Sequence, residues 1–374
     1  MMSRWPRAVW VGVLAATAGA AVNLAPAVPT GGEAILSPTL LDYAGLRLAG
    51  QVNLPLQTGE GVGRMLVKDA YLYILTTTNH LFCIERAKGA LRFGLPLAQK
   101  GLPIQDPSFY DGKAWFMVGS RLKVVDPRLG VITENTDMSS IGTGTIFGIL
   151  RNKESLYLAD PHGRLRVMMP GEYYQKFSAT ADDDSPISAA VVDEEFVVFA
   201  TTGGSVVRIQ AKAPVKEWQY DLSGGVRAPM ARDGEWVYVA ALDTKLYKLN
   251  VLNGANGWPK NFQTGVANLW APIVGAKVVY QPVGEKGLFA VDKETGLERW
   301  HLPQGVTLVA EKDDTAFVYA RPATLVAIRN STGKIDYTLN FSPLRHTAVN
   351  RTDSILYGAD EAGRVGCIEI VPNR

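Results

Sequence analysis

A short pattern of apolar and aromatic residues returns eight times along the 374-residue chain, and this repetition constrains the fold more than any other feature. Each copy has a turn pair, two or three apolar or aromatic residues, a small polar turn and a second apolar stretch. Tyr71-Leu72-Tyr73-Ile74 with Leu81-Phe82-Cys83-Ile84 is the first copy. Ala114-Trp115-Phe116-Met117 with Leu122-Lys123-Val124-Val125 is the second, and Val237-Tyr238-Val239-Ala240 with Leu246-Tyr247-Lys248-Leu249 is the best preserved. The aligned positions are 73, 115, 157, 198, 238, 280, 319 and 357, so successive gaps are 42, 42, 41, 40, 42, 39 and 38 residues. In the seventh copy Arg321-Pro322 shortens the turn.

Within each copy Tyr, Val and Leu alternate with small or polar residues, the period of a strand. Asp111-Gly112 and Asp233-Gly234 precede their strands as turns, and Gly203-Gly204 has hairpin length. No stretch after residue 50 has sustained helical periodicity. Four short strands per unit of about forty residues make a propeller blade. The expected fold class is therefore all-β, an eight-bladed β-propeller with four-stranded blades. The last copy ends at Ile370, which leaves no room for its outer strand. The segment from Leu46 to Leu56 has the length and alternation to supply it, closing the ring and removing an exposed sheet edge.

The N-terminus has a different composition. Arg4 and Arg7 form a basic start, Ala8 to Val22 is an uncharged apolar run, and Ala18-Gly19-Ala20 offers a small-x-small cleavage pattern. Residues 1–22 thus read as a signal peptide or, left uncleaved, an N-terminal anchor; the run is shorter than the roughly 20 residues that span a bilayer. Residues 23–44 read as a flexible leader and 45–374 as one propeller domain. No cysteine follows the apolar run, so lipid attachment there is excluded. The formal charge of +2 comes from interleaved acids and bases, which argues against nucleic acid as a partner.

One copy carries a more specific signature. Leu288-Phe289-Ala290-Val291-Asp292-Lys293-Glu294-Thr295-Gly296-Leu297-Glu298-Arg299-Trp300 resembles the repeat of pyrroloquinoline-quinone-type propellers, in which a strand ending in Asp leads to Thr-Gly and then to a tryptophan four residues on. Gly89 to Phe93 and Ser331-Thr332-Gly333 to Tyr337 are weaker copies, and Glu217-Trp218 stands in the same phase. Gly permits the tight turn, and the large ring wedges between neighbouring sheets. The resemblance covers roughly residues 45 to 371 and implies one of two functions. Quinoprotein dehydrogenases of this family hold their cofactor with a vicinal disulfide, an acidic base and calcium ligands. Scaffolds such as the propeller lipoprotein of the outer-membrane β-barrel assembly machinery recruit a protein partner through loops on one face.

The dehydrogenase reading fails on residues this chain lacks. Cys83 and Cys367 are far apart in sequence, and gaps of 38 to 42 residues leave no room for that class's insertions. Both cysteines fall at a mostly small, apolar repeat position, with Val124, Val167, Ala290 and Ala327 as counterparts, while Arg208 and Lys248 depart from it. Equivalent positions on sheets about 10 Å apart are too distant for a disulfide, so both thiols are expected free and buried. His80, His162, His301 and His346 are isolated, without metal-ligand spacing. Asp182-Asp183-Asp184 has the chemistry to hold calcium but is first a solvated loop. There is no Gly-x-Ser-x-Gly elbow and no phosphate-cradling loop. Sequons at Asn330, Asn340 and Asn350 would matter only in a eukaryotic secretory route. No catalytic residue, cofactor or metal is expected.

Function on such a ring belongs to the loops converging on one end of the channel. That end collects the hairpins between second and third strands, including Asp160, His162 and Asp243, and the loops that enter each blade, including Met230, Trp270, Arg345 and His346. Trp270 and Met230 are the exposed anchor candidates, since aromatics and Met carry interfaces, unless they plug the funnel. Asp160-Pro161-His162-Gly163 is a turn first and a mouth contact second. The expectation is an exported, periplasmic or cell-surface scaffold with a protein partner in an envelope or membrane complex. Membrane contact would come only through the uncleaved N-terminus or that partner. The alternative is binding or catalysis on a sugar or quinone in the funnel.

Overall fold

Alternating side chains put one set of residues on each sheet face, and in a propeller both faces find cover from the neighbouring blades. The structure, a computed structural model, describes residues 34–139 and 147–371. These residues form eight antiparallel sheets of four strands each. Blades one to seven occupy residues 62–96, 108–137, 150–179, 187–221, 231–263, 273–302 and 305–340. In each, strand order follows chain order. First strands of neighbouring blades touch: Ser108–Tyr110 meets Leu150–Arg151, which meets Ile187–Val192, and His346–Ala348 meets Val62–Lys68. The first strands therefore line the axis.

Blade eight combines both ends of the propeller. Its first three strands are His346–Ala348, Leu356–Ala359 and Arg364–Ile370, and Leu46–Asn53 is the fourth. Leu46 pairs with Ile370 and Asn53 with Arg364, so the expected closure is present in antiparallel register. A short helix, Pro38–Tyr43, precedes that strand, with proline in its first turn. This differs from the expected flexible leader over residues 34–44. Ile35, Leu36 and Leu41 are buried in the cluster between blades seven and eight, because three apolar side chains in a Pro/Gly-rich stretch suffice to dock it. The segments 1–33, 140–146 and 372–374, including the expected signal peptide, lie outside the described residues. No helix among the described residues is long and apolar enough to cross a membrane.

The core is a ring of interblade clusters. Blades six and seven, for example, bury Tyr280, Ala290, Trp300, Leu308 and Val318 against one another, and an equivalent cluster joins blades one and two around Tyr73, Cys83, Phe93 and Phe116. Each large apolar side chain so buried contributes roughly 1.5–3 kcal/mol before the cost of ordering it.

Register supports the repeat and corrects one copy. Tyr73 pairs with Cys83, Tyr157 with Val167, Tyr280 with Ala290 and Tyr357 with Cys367. In blade seven Phe317, not Tyr319, pairs with Ala327 and holds this phase. The step from Phe317 to Ala327 equals that from Tyr73 to Cys83, so Arg321-Pro322 does not shorten the hairpin. A second aromatic two residues on, facing the same side of the strand, misled the alignment.

Both cysteines are free. Cys83 is buried as expected, whereas Cys367 is only half-buried. The residue opposite Cys367 on the outer strand is Gly50, and without a side chain it leaves the thiol partly uncovered.

Candidate functional site

Antiparallel alternation places the hairpins between second and third strands at the same end as the loops entering each blade. That end is the mouth of the propeller. The sequence-derived candidates all lie there, spread over blades three, five, six and eight.

Several of them hold the hairpins together. Asp160 Oδ1 accepts the His162 N–H at 2.9 Å and the Arg164 N–H at 3.0 Å, while Oδ2 takes Arg164 Nε at 3.1 Å and Arg166 Nε at 2.9 Å. Burial alone would raise the Asp160 pKa, but these donors outweigh it and hold the carboxyl below its ordinary value. Asp243 accepts the Lys245 N–H at 3.2 Å and the Tyr247 hydroxyl. Asp360 accepts the Arg364 N–H at 2.8 Å, and Thr201 accepts from Gly204 and Ser205. Asp160, Thr201 and Asp360 thus stand at one hairpin position of blades three, four and eight and brace their own turns, as Asx and Ser/Thr turns do, while Asp243 braces the blade-five turn from two residues further on. Asp160 and Asp243 are turn braces with little carboxylate left to offer a partner.

Blade one carries an elaborated version. Glu60 on the entering loop is buried and accepts the Gln57 N–H at 2.9 Å, the Thr76 and Thr78 hydroxyls, and His80 Nδ1 at 2.8 Å. Burial raises its pKa, yet the four donors dominate and hold it at about 2.

The remaining candidates divide by exposure. Met230 is buried in the cluster between blades four and five, so it is not an exposed anchor. It follows Pro229 on a loop whose end turns inward, and an unbranched apolar side chain fills that gap. His162 is exposed at its hairpin tip. Arg345 is exposed, with Nε 3.9 Å from Glu361 Oε1. His346 beside it is half-buried, and burial lowers its pKa against the opposing effects of Glu361 and the Gly63 backbone. Trp270 is 47% exposed at the mouth.

The sequence pairs Trp270 with Met230 as an anchor candidate, whereas the structure gives Trp270 other apolar company. Leu269, Val266 and Val306 are 49%, 37% and 40% exposed on the same quadrant. The available signal was the segment Val266-Ala267-Asn268-Leu269-Trp270, unusually apolar for a loop between Gly265 and the strand Ile273–Val274.

The channel wall beside blades one to five encloses a cavity of about 300 Å³ lined by Arg64, Asp106, Phe147, Ala189, Arg227 and Pro229. Arg64 pairs with Asp106, and its Nη2 donates to the Ile104 carbonyl at 2.7 Å. No group of three or more His, Cys, Asp and Glu side chains among the described residues could hold a metal ion. Asp183, the central acid of the Asp182–Asp184 run, is engaged by Thr201 Oγ1 at 2.7 Å and the Ser185 N–H at 3.1 Å.

With this geometry in view, the comparisons are consistent. Residues 175–308, about a third of the chain, match the family described as outer membrane protein assembly factor BamB. BamB from Moraxella catarrhalis superposes with a TM-score of 0.66 at 12% identity, covering 88% of this chain and 99% of that one. The computationally designed Ika8 protein superposes with a TM-score of 0.62 at 14% identity, covering 84% of this chain and 98% of its own. No curated protein sequence matches the chain. At such identities the superpositions speak for the fold. The chain is an eight-bladed propeller of pyrroloquinoline-quinone-like repeats that resembles BamB.

Proposed function

We propose that this propeller is an exported, non-catalytic scaffold of the cell envelope that holds a protein partner on its mouth face. The observation that carries the reading is the cluster of exposed apolar side chains around Trp270, at the end where the loops of a BamB-like ring converge. Soluble proteins scatter single exposed apolar residues, whereas contiguous ones mark contact surfaces. At the mouth Asp160 and Asp243 brace their own turns, and His80 is engaged with buried Glu60, so these side chains serve the fold rather than an acid–base site. BamB is by name an outer-membrane protein assembly factor, so a membrane-complex partner suits the likeness.

A second reading, a small-molecule site for a sugar or a quinone, is favoured by the channel cavity. Arg227 there is exposed and makes no ion pair among the described residues.

Affinity capture of the tagged, exported protein from gently solubilised envelopes separates the two. A stoichiometric membrane-complex partner identified by mass spectrometry supports the scaffold. A protein recovered alone with a bound small molecule supports the cavity and overturns the scaffold.

A further inference from the structure

At the end opposite the mouth the exposed large apolar side chains are spread around the ring, Leu129 and Val131 on blade two and Tyr174, Val215, Leu252, Leu297 and Ile335 on blades three to seven. Leu129, Leu252, Leu297 and Ile335 each sit at a hairpin between third and fourth strands. Val266, Leu269, Trp270 and Val306 are instead gathered at the mouth of blades six and seven. A run of contacts leads from Trp270 to the start of blade seven: the Trp270 ring lies over Gly284, where a β-carbon would stand 3.0 Å from it. Arg321 Nη2 donates to the Gly284 carbonyl at 3.0 Å, and the Arg321 N–H to the Gln304 carbonyl at 2.8 Å, two residues before Val306.

Two cations border this patch. Lys286 reaches over Gly265, with Nζ 2.9 Å from where a β-carbon there would stand, beside Val266. Arg321 reaches from the hairpin of blade seven to Gly284 of blade six. Both are exposed, and neither makes an ion pair among the described residues. Glu285 is the acid between them, so the border carries a net positive charge. Neighbouring Lys293 and Arg299, by contrast, are paired with Asp233 and Asp292. Unpaired cations around an apolar centre complement an acidic partner.

The loop is also held in one shape. Asn268, fully buried, donates through Nδ2 to the Lys245 carbonyl at 3.0 Å, and its N–H donates to the Ala241 carbonyl at 3.2 Å. Buried Gln281 donates through Nε2 to the Trp270 carbonyl at 3.0 Å. A loop ordered before binding loses little entropy on association.

We infer that the mouth of blades six and seven docks a polypeptide segment carrying apolar anchors flanked by carboxylates, seated on Leu269 and Trp270 and steered by Lys286 and Arg321. This rests on the scaffold reading and names the partner's chemistry. Trp270 is the energetic centre, because a large ring at the middle of an apolar patch dominates such interfaces. The cations set charge preference and salt dependence.

The test uses a labelled synthetic peptide in which Leu and Trp alternate with Glu, and a second with Lys in place of Glu. Anisotropy should show the Glu peptide binding about tenfold or more tightly than the Lys peptide. That advantage should fall with added salt, and binding should weaken about tenfold in Trp270→Ser. Lys286→Glu should erase the charge preference, while Leu129→Ser at the other end should change nothing. Equal binding of both peptides, or a Trp270→Ser protein that binds like the parent, overturns the inference. Envelope capture separates this failure from failure of the scaffold reading. A partner held by the parent and lost from Trp270→Ser supports the site, and one retained by Trp270→Ser overturns it while the scaffold stands. Capture of nothing by the parent overturns both.

Discussion

The indole of Trp258 rests on Gly296 of the next blade, so closely that a β-carbon at Gly296 would stand 2.7 Å from two ring atoms. Its Nε1 donates to the Lys293 carbonyl at 3.1 Å, and Tyr238 backs the ring at 5.9 Å between centroids. The relation recurs between Trp218 and Gly254 and between Trp300 and Gly333. Phe93 packs likewise on Gly130. The Thr-Gly and Trp of the repeat signature are therefore partners in different blades: each tryptophan docks on the turn that follows it around the ring.

Because Gly296 has φ +74 and no space for a methyl, Gly296→Ala should destabilise the fold by about 2–4 kcal/mol. Gly89 occupies the equivalent turn of blade one with φ +56 and open space around it, so Gly89→Ala should cost only about 1 kcal/mol. Urea unfolding midpoints compare the two. Equal losses would mean that ring docking contributes nothing.

At the closing seam the ring is missing. Gly50 stands opposite Cys367, where Trp300 stands opposite Ala290. Arg86 of blade one bridges the seam instead, with Nε donating to the Tyr357 hydroxyl at 3.0 Å and its other nitrogens to Asp353 and the Asp69 carbonyl. Arg86→Ala should cost about 2–3 kcal/mol, less than a fully buried pair because Asp353 is partly exposed. Arg86→Lys should not restore it, since one ammonium cannot span three acceptors in a fork. Thermal unfolding of both variants checks this.

Glu60 gives a pH dependence with a defined sign. Its folded pKa of about 2 lies below the ordinary value of 4.5, so its stabilisation is complete above pH 4.5 and is lost as pH falls toward 2. The full shift corresponds to about 3 kcal/mol. Glu60→Gln should be less stable than the parent at pH 7, and the gap should narrow on acidification through that window. A gap that stays constant from pH 7 to pH 2 would contradict the assignment.

Burial raises the pKa of both thiols, that of Cys367 to about 11 and that of Cys83 further. Neither should react quickly with a disulfide reagent at pH 8 in the native protein, because the thiolate is the reactive form. Half-buried Cys367 should react first. Urea should release both, and rapid native labelling of Cys83 would show that the interface between blades one and two opens.

The blade count and the closing strand were legible because strand alternation and turn residues recur at nearly constant spacing, and Leu46–Asn53 keeps that alternation. The phase of blade seven was not, since Phe317 and Tyr319 are both aromatic and only pairing to Ala327 distinguishes them. At the mouth, loop membership was legible but direction was not. Met230 and Trp270 stand on comparable entering loops, yet one turns into the core and the other outward. The roles of Asp160 and Asp243 required the hydrogen bonds of their own hairpins, which local sequence does not distinguish from surface carboxylates. The grouping of Trp270 with Val306 depends on two blades meeting in space.

Site-specific photocrosslinking in living cells tests the mouth-face scaffold most directly. A photoreactive residue at position 269 or 306 should trap one and the same envelope protein, whereas positions 129 and 297 at the opposite end should trap none. Crosslinks confined to 129 and 297, or absent from every position, would contradict a partner held at the mouth.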